Sequence, residues 1–313
     1  MAPKHSSGWT RGTTPRGVAA VLVVLVAVLV GTACRVWPDR EVASHAAWRA
    51  TRAKSIGGPD GWAALAGLHW LAEGPQTIGT NPTCNLRLPA GSAPGLVGTL
   101  TRTGPRVGFE AAQGVEVQLR DVRIGRIDLK SDAGGTPDEL GVGRIRFWLL
   151  ERGDRRAVRV RDPESPERQA FRGIRTHPFD PHWVIPARFQ PTVPPRRVRI
   201  DDVTGGAAWE TVAGTLVFEI RGQPCRLDAL EDREEKDLWI LFGDATSGRT
   251  TYGAGRFLHV PMPGSDGRVS IDFNRAYNPP CAFTPFATCP IPPRENWLRV
   301  AIPAGEMAPT RHP

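Results

Sequence analysis

The sequence predicts a mainly β protein, built as two antiparallel lobes that resemble sandwiches or barrels and are packed together. Two observations support this fold class. Short stretches alternate apolar and polar residues, as in GVEVQLRDVRI (114–124) and GTLVFEIRG (214–222), which is typical of strands that bury one face. The chain also has 34 glycines and 30 prolines in 313 residues, which indicates frequent turns between such strands.

The first predicted element is a short helix. Ser44 is a suitable cap, and the helix should run from His45 to the GGPDG break at 57–61. Strand patterns then follow to about residue 165. The Pro-rich segment FRGIRTHPFDPHWVIPARFQPTVPPRR (171–197) has no clear period, so it predicts an extended connector, after which strand patterns resume.

These changes of pattern divide the chain into five predicted parts. They are a signal segment (1–34), a tether (35–44), an N-terminal β lobe with its leading helix (45–165), a connector (166–197) and a C-terminal β lobe (198–313). At 40% apolar residues, the two lobes can bury real cores.

The N-terminus has the features of an export signal. Three basic residues precede the apolar run GVAAVLVVLVAVLVGTAC (17–34). The end of this run resembles a bacterial lipobox, in which Cys34 would be lipidated and become the new N-terminus. Ordinary cleavage after Ala33 and an uncleaved membrane anchor are the alternatives. All three predict an extracytoplasmic protein, and lipid or anchor would make the membrane a partner, on the periplasmic side or at the cell surface.

Charge and motifs argue against several classes of partner. The net charge is +8, but its arginines alternate with acidic residues, as in RGDRRAVRVRDPESPER, and no basic run is interleaved with aromatic residues. We therefore expect no nucleic-acid partner. No strand precedes a GxGxxG sequence, no Walker loop occurs, and the cysteines form no CxxC pair, so we expect neither a cofactor nor a metal.

Polar residues that could form a site concentrate near the C-terminus. The catalytic candidates are Asp244, Tyr252, Arg256, Asp272 and Tyr277, and the ligand-binding candidates are Thr246, Thr251, Asn274, Asn278 and Glu306. Tyr252 and Tyr277 are the two tyrosines of the chain, which favours a role for their hydroxyls. In a pocket, Arg256 would hold an anionic group and an aspartate would be the acid or base. Alternatively, Arg256 pairs with Asp244 or Asp272 inside the fold.

The cysteines are expected to meet an oxidising compartment. If Cys34 is lipidated, four cysteines remain, and four allow three pairings. Cys281–Cys289 is the most local pair, and it would close a Pro-rich loop. The pairing of Cys84 and Cys225 stays open.

Long motifs in the C-terminal part resemble a known family. DATSGRTTYGAGRFLHVP (244–261) and DFNRAYNPPCAFTPFATCPIPPRENWLRVAIPAGE (272–306) are similar to the blocks of the bacterial family called domain of unknown function 1684. GWAALAGLHWLAEGPQTIG (61–79) is similar to its N-terminal segment, so the resemblance covers about 45–306. It implies a mostly β, often exported protein and no established activity. The first lobe also faintly resembles a forkhead-associated sandwich, without the residues that bind phosphopeptides.

Two functions are compatible with these observations, and whether the protein is an enzyme stays open. The first is a cell-envelope protein, held by lipid, that binds a small-molecule or glycan ligand or supports the cell surface without catalysis. The alternative is an extracytoplasmic hydrolase whose site combines the TYGAGR and DFNRAYNPPC motifs.

Overall fold

The computed structural model describes Met1, residues 40–232 and residues 236–310. The chain divides into two compact units, Met1–Ala46 and Ala47–Pro313. The predicted signal segment, including Cys34, lies outside the described residues apart from Met1. Within the described ranges, no helix is both long and apolar enough to cross a membrane.

Strands dominate the described chain, which confirms the mainly β prediction. The N-terminal half has eleven, and they are β1 (Leu65–Trp70), β2 (Gly74–Gly79), β3 (Leu86–Arg87), β4 (Gly98–Thr103), β5 (Arg106–Ala111), β6 (Gln118–Leu119), β7 (Val122–Arg123), β8 (Arg126–Asp128), β9 (Leu140–Val142), β10 (Ile145–Arg152) and β11 (Arg155–Arg161). The C-terminal half has β12 (Val184–Asp201), β13 (Ala207–Ile220), β14 (Gln223–Asp232), β15 (Asp237–Phe242), β16 (Arg256–Val260) and β17 (Arg268–Asp272).

Over the described ranges, helices are few and mostly short. The predicted leading helix, α1, covers residues 40–57, and α2 is Pro166–Ala170. Six 3₁₀ turns are described, and they are Trp62–Ala64, Asp132–Gly134, Pro181–Trp183, Phe273–Arg275, Pro280–Ala282 and Arg294–Asn296.

The N-terminal lobe is a sandwich of two sheets. One sheet has the order β1-β11-β10-β9-β6-β7, and the other has the order β3-β2-β4-β5-β8. All pairs are antiparallel except β2 with β3. Apolar residues of both sheets, including Ile78, Leu100, Phe109, Phe147 and Val160, form one buried cluster between them. The predicted sandwich is therefore present. The likeness to a forkhead-associated domain stays a prediction.

The central hairpin of this lobe is buried on both faces. Val158 and Val160 of β11 belong to the sandwich core, whereas Ala157 belongs to a second cluster on the opposite face. Phe286, from the Pro-rich C-terminal motif, packs against that second cluster. The loop that carries Phe286 and Thr288, which we call the motif loop, thus packs on the outer face of the N-terminal lobe.

The C-terminal lobe is a six-stranded antiparallel sheet with the order β16-β15-β14-β13-β12-β17. Its main core lies on one face and includes Leu216, Leu227, Ile240, Phe242 and Phe273, all fully buried. A smaller cluster with Val212, Leu230 and Phe257 lies elsewhere in the lobe.

The Pro-rich segment 166–197 contributes directly to this sheet. Its last part, from Val184, is the beginning of β12. β17 pairs with β12 only over Val184–Arg188, and the register with β13 shifts between Pro191 and Arg196. Prolines 191, 194 and 195 therefore lie where β12 has no second neighbour among the described strands, which is where a strand tolerates the loss of amide donors.

Candidate functional site

The two motif segments lie side by side. Phe257 and Tyr277 exchange both backbone hydrogen bonds, with N–O distances of 2.8 and 2.9 Å. The register pairs Phe242 with Arg256, so the loop between β15 and β16 brings Asp244 next to Arg256. Gly255 in this loop has a φ of +89°, a conformation that glycine adopts without strain.

Asp244 and Arg256 form a closed ion pair in the core. Arg256 Nη2 donates to Asp244 Oδ2 at 2.8 Å, and both side chains are 0% exposed. Arg256 also donates to the backbone carbonyls of Ile302, Ala304 and Glu306. Burial lowers the pKa of Arg256, and the charge of Asp244 opposes this effect. The pair thus fastens the C-terminal segment to the sheet.

The two predicted threonines complete the surroundings of Asp244. Asp244 Oδ1 accepts from Thr246 N at 2.8 Å, from Thr246 Oγ1 at 2.6 Å and from Ile302 N at 3.1 Å. The hydroxyls of Thr246 and Thr251 are 2.8 Å apart. Each oxygen of this aspartate is therefore occupied by a donor from the protein itself, and the group is well suited to a structural role.

Glu306 is a second buried carboxylate, joined to α1. It forms an ion pair with Arg52, and its Oε2 accepts from Asn278 N at 2.7 Å. Arg52 also donates to Asn278 O at 2.7 Å, and Asn278 Nδ2 donates to Met307 O at 2.8 Å. Burial raises the pKa of Glu306, and Arg52 opposes this. The contacts fix the C-terminal segment against the helix.

Tyr277 is the predicted candidate with the most distinctive partners. Its hydroxyl is 2.8 Å from His259 Nε2, and the two rings are parallel, with centroids 5.7 Å apart. Arg52 lies over the Tyr277 ring at 4.4 Å. His259 Nδ1 is 4.0 Å from Asp232 Oδ2, beyond hydrogen-bond distance. We call Tyr277, His259, Asp232 and Arg52 the tyrosine cluster.

The tyrosine cluster is partly open to solvent. The side chains of His259, Asp232 and Arg52 are 31%, 24% and 17% exposed. In β15, Trp239 pairs directly with His259, so an indole is also adjacent. The cluster therefore offers aromatic rings and charges of both signs at a partly exposed position, unlike the Asp244–Arg256 pair.

Asp272 and Asn274 have local structural partners. Asp272 Oδ1 accepts from Asn274 N at 3.0 Å and Nδ2 at 2.9 Å, which caps the 3₁₀ turn that follows. Asp272 also pairs with Arg275 at 3.4 Å. Asn274 exchanges two hydrogen bonds of 3.0 Å with the backbone of Asp180. Asp272 thus pairs with Arg275, whereas Asp244 is the partner of Arg256.

Tyr252 lies beside the two motif cysteines. Its hydroxyl donates to Cys281 O at 3.1 Å and to Cys281 Sγ at 3.5 Å, and Cys281 N donates to Cys289 Sγ at 3.1 Å. Both cysteines are free thiols here, as are Cys84 and Cys225. The hydrogen bond with Cys289 lowers the pKa of Cys281 to about 7. The predicted disulfide would join groups that are already neighbours.

Several important residues lie outside the sequence-based candidates. Asn296 is buried, and its side chain binds the backbone of Asp228 at 2.7 and 2.9 Å and Leu241 O at 2.8 Å. His259 and Asn296 are inside the quoted motifs, so the family resemblance was a signal for them. Nothing in the sequence singled out Arg52, because its partner Glu306 is 254 residues away along the chain. No group of three or more potential metal ligands occurs in the part of the chain that the structure describes.

Comparison with known proteins identifies the family. Residues 169–307 match the model of the family described as "Protein of unknown function (DUF1684)". No curated protein matches the chain. Among solved structures, it is similar to an uncharacterized protein of Haloarcula marismortui, determined by solution NMR, with 30% identity and a TM-score of 0.40 over 48% of this chain and 85% of that one. The chain thus belongs, through residues 169–307, to the DUF1684 family.

Proposed function

We propose that this chain is a cell-envelope protein, anchored by lipid on Cys34, whose extracytoplasmic β domain binds a small glycan at the tyrosine cluster without catalysis. The basic head, apolar run and lipobox-like GTAC of the sequence support export and anchoring. A disulfide between Cys281 and Cys289 is part of the same proposal, since an oxidising compartment allows it.

The contact between Tyr277, which is mostly buried, and His259, whose side chain is 31% exposed, carries the ligand-binding proposal. Among the predicted candidates, Asp244 and Arg256 are closed by internal partners, whereas the side chains of Arg52, His259 and Asp232 are partly exposed. Arg52, His259 and Asp232 offer donors and an acceptor beside aromatic rings. This combination suits a polyhydroxylated ligand, which needs both hydrogen-bonding partners and apolar ring faces.

The protonation state of Tyr277 favours binding over covalent catalysis. Burial raises the pKa of Tyr277 to about 12. At neutral pH its hydroxyl is therefore almost entirely protonated, and it acts as a hydrogen-bonding group rather than as an oxyanion nucleophile.

A glycan panel tests the ligand proposal. Saturation-transfer NMR on the purified full-length chain should detect at least one soluble oligosaccharide, with peptidoglycan disaccharide fragments included. The signal should be lost with His259→Ala and kept with His182→Ala, because His182 is exposed and pairs with Asp180, which is not a residue of the cluster. The absence of binding across the panel, or equal binding by both variants, would contradict the proposal.

The order of groups in the tyrosine cluster favours one alternative, a hydrolase. A hydroxyl, an imidazole and a carboxylate follow one another, as in a nucleophile–base–acid arrangement. Turnover of a glycoside or ester panel that disappears with Asp232→Asn, while folding is retained, would establish the alternative. No turnover in any member would leave the binding function.

Anchoring is tested separately with labelled palmitate. The wild-type chain should incorporate the label, and Cys34→Ala should not. Membrane association without label would support the uncleaved anchor, and release without label would support simple cleavage.

A further inference from the structure

Arg159, in the middle of β11, is a buried cation that has no ion pair with an acid of the described residues. It pairs in register with Leu68 of β1 and Trp148 of β10. The loop that carries Thr288 covers it, since Arg159 Nη2 donates to Thr288 Oγ1 at 3.4 Å. We propose that Arg159, together with Arg152 and Thr288, binds a small oxyanion such as inorganic phosphate or sulfate between this sheet and the motif loop.

The contrast with other arginines supports this proposal. In the described ranges, the arginines that are buried are Arg156, Arg159 and Arg256. Arg256 pairs with Asp244 at 2.8 Å, and Arg156 pairs with Glu151 at 2.9 Å. Arg159 is 5% exposed, and its described polar contact is the long one to Thr288.

The donors of Arg159 are largely unused. Its Nε is buried and has no hydrogen-bond partner among the residues that the structure describes. The ring of Trp62 lies 5.3 Å from the guanidinium carbon, which supplies a cation–π contact but no acceptor for the N–H groups. A buried donor without an acceptor costs free energy, so an oxygen ligand at this position would be stabilised.

The acidic residues Asp132 and Glu139 are already paired with other arginines and do not neutralise Arg159. Asp132 is bound to Arg152 at 2.8 Å, and Glu139 is bound to Arg161 at 3.1 Å. Burial and the charge of Arg152 lower the pKa of Arg159 to about 10, so it is still protonated at neutral pH.

Thr288 supplies the second kind of donor. Its Oγ1 accepts from Arg152 Nε at 3.1 Å and from Arg159 Nη2. The hydroxyl hydrogen has no described acceptor, and it can point toward an anion. Thr288 is partly exposed, so a small ion can approach from solvent. A planar guanidinium with an adjacent hydroxyl matches the tetrahedral oxygens of phosphate or sulfate.

The test is a titration of the purified full-length chain with sodium phosphate or sodium sulfate at constant ionic strength, with sodium chloride as the reference. Both oxyanions should raise the thermal midpoint saturably. Arg159→Met should weaken the apparent Kd by about tenfold or more, which corresponds to loss of a charge-assisted contact. Thr288→Val should weaken it less.

Arg155→Met is the matched control. Arg155 lies on the same strand and face, but Asp202 is its acidic partner at 3.5 Å, so the Kd should be unchanged. In chloride, Arg159→Met should be no less stable than the wild type, because the change removes an unpaired buried charge. This result also shows that the variant folds.

Three results would overturn the proposal. They are equal stabilisation by chloride, no saturable effect of either oxyanion on the wild type, and the same Kd in Arg159→Met and wild type. None of them affects the glycan site, because His259 and Tyr277 are tested with a different ligand.

Discussion

Replacing Arg256 with methionine should destabilise the fold strongly. The change keeps an unbranched apolar stem but removes four contacts of the guanidinium, to Asp244 and to the carbonyls of Ile302, Ala304 and Glu306. Asp244 is then a charge that is 0% exposed and has lost its counter-ion.

The size of the effect follows from that stranded charge. Breaking one side of a buried ion pair costs about 3–5 kcal/mol, mostly because the remaining charge is uncompensated. Adding Asp244→Asn should therefore recover part of the loss, since a neutral amide still accepts from Thr246 N. The two changes should couple by about 1–3 kcal/mol in a double-mutant cycle.

Urea unfolding followed by tryptophan fluorescence measures these free energies. The exposed pair Arg199–Asp201, with side chains 63% and 64% exposed, is the control, and Arg199→Met should cost less than about 1 kcal/mol. A loss below about 1 kcal/mol for Arg256→Met, or additivity with Asp244→Asn, would refute the structural role of the pair.

Three further predictions concern other buried groups. Asn296→Ala should lower the free energy of unfolding by about 2–4 kcal/mol in the same assay, because three backbone groups would lose their hydrogen-bond partner. A loss within about 0.5 kcal/mol, as for a surface substitution, would contradict this prediction. Burial, with a contribution from Arg256, lowers the pKa of His177 below 6.5. As the pH drops, His177 is therefore protonated first in the unfolded chain, and the free energy of unfolding should fall below about pH 6.5. His177→Asn should flatten this pH profile, and an unchanged profile would count against the prediction. Peptide mapping without reduction should find Cys281 joined to Cys289 in protein from the cell envelope, and two free thiols would refute that pairing.

The sequence predicted the type of fold better than the contacts within it. Alternating stretches such as GTLVFEIRG coincide with strands because a half-buried strand repeats every two residues. The absence of a period in 171–197 was less informative, since β12 is an edge strand over prolines 191, 194 and 195 and its side chains are mostly exposed. The local sequence pattern does not specify which strand will pair with a given strand.

For the candidate site, too, the sequence predicted which segments carry polar residues better than it predicted their contacts. The concentration of polar residues in the motifs predicted a site there, and in the structure these residues divide among several local networks, in which both tyrosine hydroxyls have hydrogen bonds. The sequence left open whether Arg256 would pair with Asp244 or Asp272, because the choice depends on the register of β15 with β16. Arg52 belongs to a helix far away in sequence, and only tertiary packing brings it to Glu306.

The most direct test of the binding function is a calorimetric titration of wild type, His259→Ala and His182→Ala with the strongest oligosaccharide from the panel. We expect the wild type and His182→Ala to bind equally, and His259→Ala to bind about tenfold more weakly or worse, as loss of a central polar contact implies. Equal affinity in all three proteins would contradict the assignment of the tyrosine cluster as the ligand site.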